Sequence, residues 1–310
     1  MKYIVIPDGS PAFHLACEEV IFDTEKKGDI LLLWRNSPVI VCGAHQNIYQ
    51  ETSVYRAQKQ GIEILRRVSG GGTVYHDEGN LNYSVIMDEE KFKTYDDLLR
   101  GILASMNAAG IPAEKGRICD INVGGVKVSG NAQRIAHGRI LQHGTLLYDA
   151  DLSVLRSVSG RQGRHYVSRA TQSNPAEVGN IKPFWNGGSV EDFQEALLVH
   201  YPELDERAEM TEEQLAEARR LETEKYGDWK WNFGKSPKFT CDAKSCVNRK
   251  PCRVTYGAKK GIIQEIELQG DGVSADAGKV FEGCRLDVKE IIEHAKEVTD
   301  APEELADLIL

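Results

Sequence analysis

Three glycines in a row, Gly70-Gly71-Gly72, follow the strand-like run Ile62–Val68 and precede the β-prone Thr73-Val74-Tyr75. Neither a helix nor a regular strand accommodates three successive glycines well, so the chain must turn here with its backbone laid open. Such a turn brings N–H groups close to a neighbouring ligand and suits an anion. Arg66 and Arg67 stand immediately before it and can neutralise a phosphate or carboxylate through paired hydrogen bonds. The stretch Arg66–Asp77 therefore reads as a cradle for an anionic ligand. Taken alone, the glycines also suit a hairpin with exposed arginines. Ser69 and the Tyr75-His76-Asp77 tail favour the cradle without naming a reaction.

The flanking periodicities mix helix and strand. Ser10-Pro11 starts a helix whose Phe13, Ala16, Cys17, Val20 and Ile21 make one core face. Ile30–Arg35 and Pro38–Gly43 read as strands, and alternating Leu81, Tyr83, Val85 and Met87 as a half-buried one. Leu98 to Met106 marks a second amphipathic helix, stopped by Gly110 and Pro112. Extended segments follow at Ile118–Val123, Gly125–Ala132 and Gly138–Tyr148, then a helix capped by Ser189 and another behind the Thr211/Gln214 capping box. Segment 161–183 is rich in Gly, Ser, Arg and Asn and shows little periodicity. Near the end, two strands flank a Gly257–Gly261 turn before two short helices. Strict βαβ alternation is absent, so the fold class is α+β with a mixed or antiparallel sheet.

A chain of 310 residues fits one large domain or two unequal ones. The division expected is 1–238 and a small unit at 245–310. With 38 basic against 47 acidic side chains the net charge is −9, which argues against a nucleic-acid binder but not against a nucleotide substrate. No apolar run approaches the ~18 residues of a membrane span, and the opening Met1–Pro7 is too short for a signal-peptide core. Seven scattered cysteines read as reduced thiols of the cytoplasm, and their spacing fits no standard zinc pattern.

A second block, Asp120 to Gln133, adds chemistry. Gly124-Gly125 suits a tight hairpin, and on the strand behind it Lys127 and Ser129 share a face. A lysine so placed can aim a fixed charge at a phosphoryl or acyl group; it also suits an exposed edge strand with a solvated lysine. The Walker and Rossmann glycine patterns are absent.

Arg66–Asp77 with Gly79-Asn80, then Gly125–Gln133, then Gln142-His143-Gly144-Thr145-Leu146-Leu147 together resemble the three signature blocks of the lipoate–protein ligase family, in order and at family spacing. Pro38–Asn47 and the junction Trp229–Phe239 extend the resemblance over nearly the whole chain. It implies a catalytic domain of the biotin/lipoate ligase type, related to class II aminoacyl-tRNA synthetases, followed by a small α+β accessory domain. It also implies an activity: ATP with Mg²⁺ converts lipoate to lipoyl-AMP, and the lipoyl group passes to a lysine of a lipoyl-domain protein. That acceptor would be the glycine cleavage H protein or a 2-oxo acid dehydrogenase acyltransferase subunit, met through a local basic patch. Neither nucleic acid nor membrane is an expected partner.

Carried over residue by residue, Lys127 matches the family's essential lysine, holding acyl carbonyl and α-phosphate in line. Arg67 matches the arginine facing the adenylate, and Gly72, Thr73, Val74 and Tyr75 the stretch that holds the nucleotide. Ser69, Gly70, Gly71, Asn80, Ser129, Gly130, Asn131, Gly144 and Thr145 complete the expected ATP and lipoyl-AMP set. Asp120 is the candidate Mg²⁺ contact, His143 an orienting pocket wall, and Arg67, His76 and Lys127 the lipoate contacts. Segment 161–183 falls where the family carries a loop that closes over the adenylate. The family's Arg-Asn-Asp is here Arg117-Ile118-Cys119-Asp120.

Two related activities compete. An octanoyl or lipoyl transferase needs a cysteine after the His-Gly-Thr block, and none occurs between Cys119 and Cys241. A biotin ligase carries a Gly-Arg-Gly-Arg loop, which is absent. A non-catalytic lipoate or nucleotide binder would have no use for an in-line lysine.

Overall fold

The computed structural model describes residues 1–158, 163–173 and 176–310. Among them the strands form four sheets. The largest has the order Asn131–Ala136, Arg139–Leu147, Asn80–Asp88, Ile30–Arg35, Lys2–Val5, Glu206–Arg207. The first four strands run antiparallel; Lys2–Val5 joins parallel to Ile30–Arg35 and to Glu206–Arg207. The sheet is therefore mixed.

Alternation along Ile30–Arg35 divides the core. Leu31 and Leu33 face the helices Tyr95–Ala108 and Val190–His200; Leu32 and Trp34 face the first helix, Pro11–Thr24. Both sheet faces are covered, so Asn80–Asp88 is buried almost throughout and is not the half-buried strand its alternation predicts. Its polar row, Asn80, Asn82 and Ser84, is buried beside the first helix and the cleft.

Ser10 caps the first helix, its side chain accepting from the Phe13 amide at 3.0 Å. That helix departs from expectation by being buried all round from Pro11 to Phe22. The helix Glu212–Leu221 and the π-turn Glu222–Tyr226 pack on its outer side, a partner far too distant in sequence for local periodicity to reveal. Glu19 is satisfied there by Lys225 and Tyr226.

Two small sheets carry the motif blocks. Val39–Cys42 lies between parallel Glu63–Arg66 and antiparallel Val74–His76, and the glycine loop spans the last two. Ala113–Lys115, Ile121–Val123 and Val126–Ser129 form an antiparallel meander. Here the chain is extended only from Ile121. Residues 117–120 form a turn, closed by Gly116 N to Asp120 O at 2.8 Å and Asp120 N to Arg117 O at 3.0 Å, with Ile118 at φ 58°.

The fourth sheet has the order Arg164–Ser168, Phe239–Val247, Lys250–Lys259, Ile262–Gly270, backed by helices Val288–Ala295 and Pro302–Ile309. Arg164–Ser168 lies inside the segment without periodicity and becomes an edge strand by pairing with Phe239–Val247, a non-local partner. Arg161, Gln162, Asn174 and Pro175 of that segment lie outside the described residues. The predicted Gly257–Gly261 turn is shorter: the strand continues to Lys259, bulging at Gly257/Ala258, and Lys260-Gly261 turn at φ 55° and 69°. Two left-handed residues match the twist of a two-residue hairpin. All seven cysteines are free thiols. Among the described residues no helix is long and apolar enough to cross a membrane.

Candidate active site

A cleft of about 410 Å³ opens between the first helix, the Arg139–Leu147 strand, the glycine loop and the turn 117–120. Thr171, Gln172, Ser173 and Ala176 line its remaining side. Its apolar wall comes from Leu15, Trp34 and Val41, and its cations are Arg67, Arg117 and Lys127. Asp120 is the one carboxylate on its surface among the described residues.

Most of the predicted residues meet there. Arg67, Gly71, Gly72, Thr73, Val74 and His76 line one side; Asp120, Lys127, Gly130 and Asn131 another; His143, Gly144 and Thr145 a third. Five do not reach the surface. Tyr75 points away because a strand alternates: Val74 and His76 face the cleft, and Tyr75 packs into the core shared with the fourth sheet. Asn80 lies behind Asn82, donating to its Oδ1 at 2.9 Å. Ser129 Oγ accepts from Asn131 Nδ2 at 3.0 Å, while Ser69 and Gly70 sit behind the loop.

Arg66 departs from its expected role. It is fully buried, and its guanidinium binds the carbonyls of Gly43, Gln46 and Asn232 at 2.9–3.0 Å and Ser236 Oγ at 3.2 Å. Its charge ties the early loop to the chain before the fourth sheet, and Arg117, unforeseen, is the cleft's further cation.

Arg67 clamps the loop from beneath: Nη1 donates to Val41 O at 3.0 Å, and Nη2 to Gly70 O at 2.5 Å and Gly72 O at 2.7 Å. Burial pulls its pKa down to about 10, so it stays cationic at neutral pH. Gly71, at φ +81°, is needed for this closure. Gly43 is needed for another reason: a Cβ there would lie 2.3 Å from Gly71 O. Gln46 ties the loop outward, accepting from Thr73 Oγ1 at 2.8 Å and donating to Ser173 Oγ at 3.0 Å. Ser173 Oγ also accepts from the Thr73 amide at 2.8 Å.

Lys127 Nζ sits 2.9 Å from Asp120 Oδ1 across the hairpin. Asn131 holds the turn carrying Asp120, donating to Cys119 O at 2.6 Å and accepting from Tyr83 OH at 2.5 Å. His76 is buried and linked through Asn36 to His14, with Nδ1 2.9 Å from Asn36 Nδ2. Burial, then nearby Arg67, pushes its pKa down to about 3, so it meets a ligand as a neutral ring and not as a counter-ion. Burial and adjacent Asp120 raise the Cys119 thiol.

Several cleft residues lie outside any expectation. Leu15 and Trp34 belong to predicted elements, but only tertiary packing turns them inward. Glu18, in the wall behind His143, has one faint sequence sign: an acidic pair, Glu18-Glu19, inside an otherwise apolar helix.

What this geometry defines is a cleft in which one lysine and two arginines stand beside an apolar wall. Comparison with known proteins names the class. Residues 10–201 match the family model of the lipoyl protein ligase A/B catalytic domain. Lipoate–protein ligase 1 of Staphylococcus aureus is 30% identical over 297 residues, covering 93% of this chain and 90% of that one. Among solved structures, a lipoate–protein ligase A bound with ATP superposes with TM-score 0.64 and 25% identity over 76% of this chain and all of its own. A bi-partite lipoate protein ligase from Thermoplasma acidophilum, described with its E2 lipoyl domain, gives 0.64 and 25% over 76% of this chain and 96% of its own. The chain belongs to the lipoyl protein ligase A/B family and has its α+β fold.

Proposed function

We propose that the chain uses ATP to activate lipoate as lipoyl-AMP, releasing pyrophosphate, and then transfers the lipoyl group to a lysine of a lipoyl domain. One observation carries this: Lys127, the clamped glycine loop and the apolar wall of Leu15, Trp34 and Val41 face a single cleft. In the first step the lipoate carboxylate attacks the α-phosphorus of ATP. Two anions must meet while charge builds on the phosphoryl oxygens, so preorganised cations and N–H groups supply the catalysis. Lys127 takes that place, with Arg117 beside it. The lipoyl chain lies along the apolar wall, with neutral His76 beside it. In the second step the acceptor amine attacks the acyl carbonyl, Lys127 steadies the oxyanion, and AMP leaves as the amide forms.

The donor set suits Mg²⁺, which takes one or two carboxylates together with substrate phosphates. Asp120 would hold it, and when bound it neutralises phosphate charge. This reading assigns catalysis to residues 1–238 and an accessory role to 245–310. The Thermoplasma ligase is bi-partite and aligns with 76% of this chain, a share that leaves room for a separate accessory part. The acceptor class follows from the E2 lipoyl domain described with that relative; the H protein is the second acceptor to try.

A transferase forming a thioester has one observation in its favour, Cys119 at the cleft. Its raised thiol pKa opposes a thiolate nucleophile. The test is mass spectrometry of apo E2 lipoyl domain and apo H protein incubated with the chain, Mg²⁺ and lipoate, with and without ATP. We expect an ATP-dependent amide on the acceptor lysine. In a parallel reaction an octanoyl thioester replaces free lipoate and ATP; a hydroxylamine-labile thioester on Cys119, formed there with release of the donor thiol, would overturn the reading.

A further inference from the structure

Among the described residues, the large apolar side chains most open to water are Tyr95, Ile118, Ile135, Val167, Phe184 and Val199. Of these, Ile118 alone also lines the cleft. It is 59% exposed, so it stands at the rim with most of its surface in water.

Its backbone makes the position more unusual. Ile118 has φ 58°, a left-handed conformation that strains a β-branched residue and that glycine or asparagine adopts more readily. Burial of the side chain does not offset that strain. Nor is the turn loose. Gly116 N donates to Asp120 O at 2.8 Å, Asp120 N to Arg117 O at 3.0 Å, and Asn131 Nδ2 to Cys119 O at 2.6 Å. A turn pinned in a strained state while it presents an apolar side chain to water is something folding alone disfavours. Strain held in place by its surroundings is a mark of sites that work on a partner or ligand.

The second step of the reaction identifies what meets that side chain. The acceptor amine reaches the acyl carbonyl on the four-carbon stem of a lysine, so the acceptor's backbone must come down on the mouth of the cleft. An aliphatic rim residue gives a phosphate nothing to bind, but an apolar side chain beside the acceptor lysine would cover it and exclude water. The rigid turn fixes Ile118 before the partner arrives, so little freedom is lost on docking.

We infer that Ile118 is a docking contact for the acceptor lipoyl domain, covered during transfer by an apolar side chain next to the target lysine. This rests on the cleft being the adenylate-forming site. Ile118 then serves the second step and is spare in the first.

The test uses full-length Ile118→Asn, which suits the same left-handed turn, with Ile118→Leu and, as a control far along another helix, Val199→Ala. Each is assayed for lipoate-dependent pyrophosphate exchange without acceptor, and for lipoyl transfer to apo E2 lipoyl domain at varied acceptor concentration. In Ile118→Asn, exchange and the KM for ATP should stay within ~2-fold of wild type. Its kcat/KM for the acceptor should fall at least ~10-fold, chiefly through KM. Ile118→Leu should keep most of the transfer, and Val199→Ala should match wild type in both assays. Unchanged acceptor kcat/KM in Ile118→Asn would overturn the inference, as would an equal loss in Val199→Ala. A rise in KM for ATP or lipoate as large as that for the acceptor would also overturn it, placing Ile118 with the substrates of the first step. If Ile118→Asn fails to fold, Ile118→Gly decides by the same readings. Wild-type protein without exchange or without transfer would instead sink the ligase reading on which the inference rests.

Discussion

Lys127 and Asp120 hold each other at 2.9 Å with about a quarter of each side chain exposed (24% and 23%). A pair so wet contributes little to stability, under ~1 kcal/mol. Lys127→Ala should therefore separate chemistry from folding: activity falls at least ~100-fold while the urea midpoint barely moves. A large drop in stability would place Lys127 in the framework. His76 tests a different property. Its folded pKa, about 3, lies below the ordinary 6.5, so between these values the unfolded chain binds a proton that the native ring refuses. Stability from this group is complete above about pH 6.5 and is lost as pH falls toward 3, at up to ~1.4 kcal/mol per unit. Urea midpoints at pH 7, 6 and 5 should fall less steeply in His76→Gln than in the wild type; parallel slopes would deny the shift. Lys127 was legible as a residue because its block is local. Arg66 and Arg67 were not separable: the sequence sets them side by side, and only the folded loop sends one beneath the glycines and the other toward Ser236.

Among elements, local signals succeeded where the determinant is local. The Ser10 cap, the strand Ile30–Arg35 and the Thr211 capping box lie where periodicity and capping chemistry set them. The misses needed partners from elsewhere: the outer cover of the first helix, the edge strand Arg164–Ser168, and the turn that replaces an extended Ile118. Ile118 is a β-branched residue at φ 58° and 59% exposed, so it carries backbone strain and little burial. Ile118→Asn should stabilise the protein by ~1 kcal/mol, read as a higher urea midpoint. An unchanged or lower midpoint would show the side chain to matter more than its backbone. Gly43→Ala should push Gly71 aside and raise KM for ATP at least ~10-fold, with a smaller effect on lipoate affinity. Equal effects on both would place the loop elsewhere in the reaction.

At the scale of the molecule, the fourth sheet does not stand apart. Phe239, Tyr256, Phe281 and Leu305 share one core with Ile40, Tyr49 and Tyr55 of the motif-bearing part, and Tyr49 OH donates to Leu286 O at 3.0 Å. Ending the chain at residue 238 would bare that core and remove the partner of Arg164–Ser168. The 1–238 fragment should aggregate or melt well below the full chain and regain activity when 239–310 is supplied separately. A fragment as stable as the whole would make the two units independent. The change in pattern near 238 suggests a division, but the shared core has no such sequence signal, because its contacts join residues far apart in sequence. The central claim is that one cleft adenylates lipoate. It is tested most directly by lipoate-dependent exchange of labelled pyrophosphate into ATP, with wild type and Lys127→Ala side by side. The account predicts exchange by the wild type, none by the folded variant, and none without lipoate. A folded wild-type protein inert with lipoate, octanoate and ATP, or full exchange by Lys127→Ala, would contradict it.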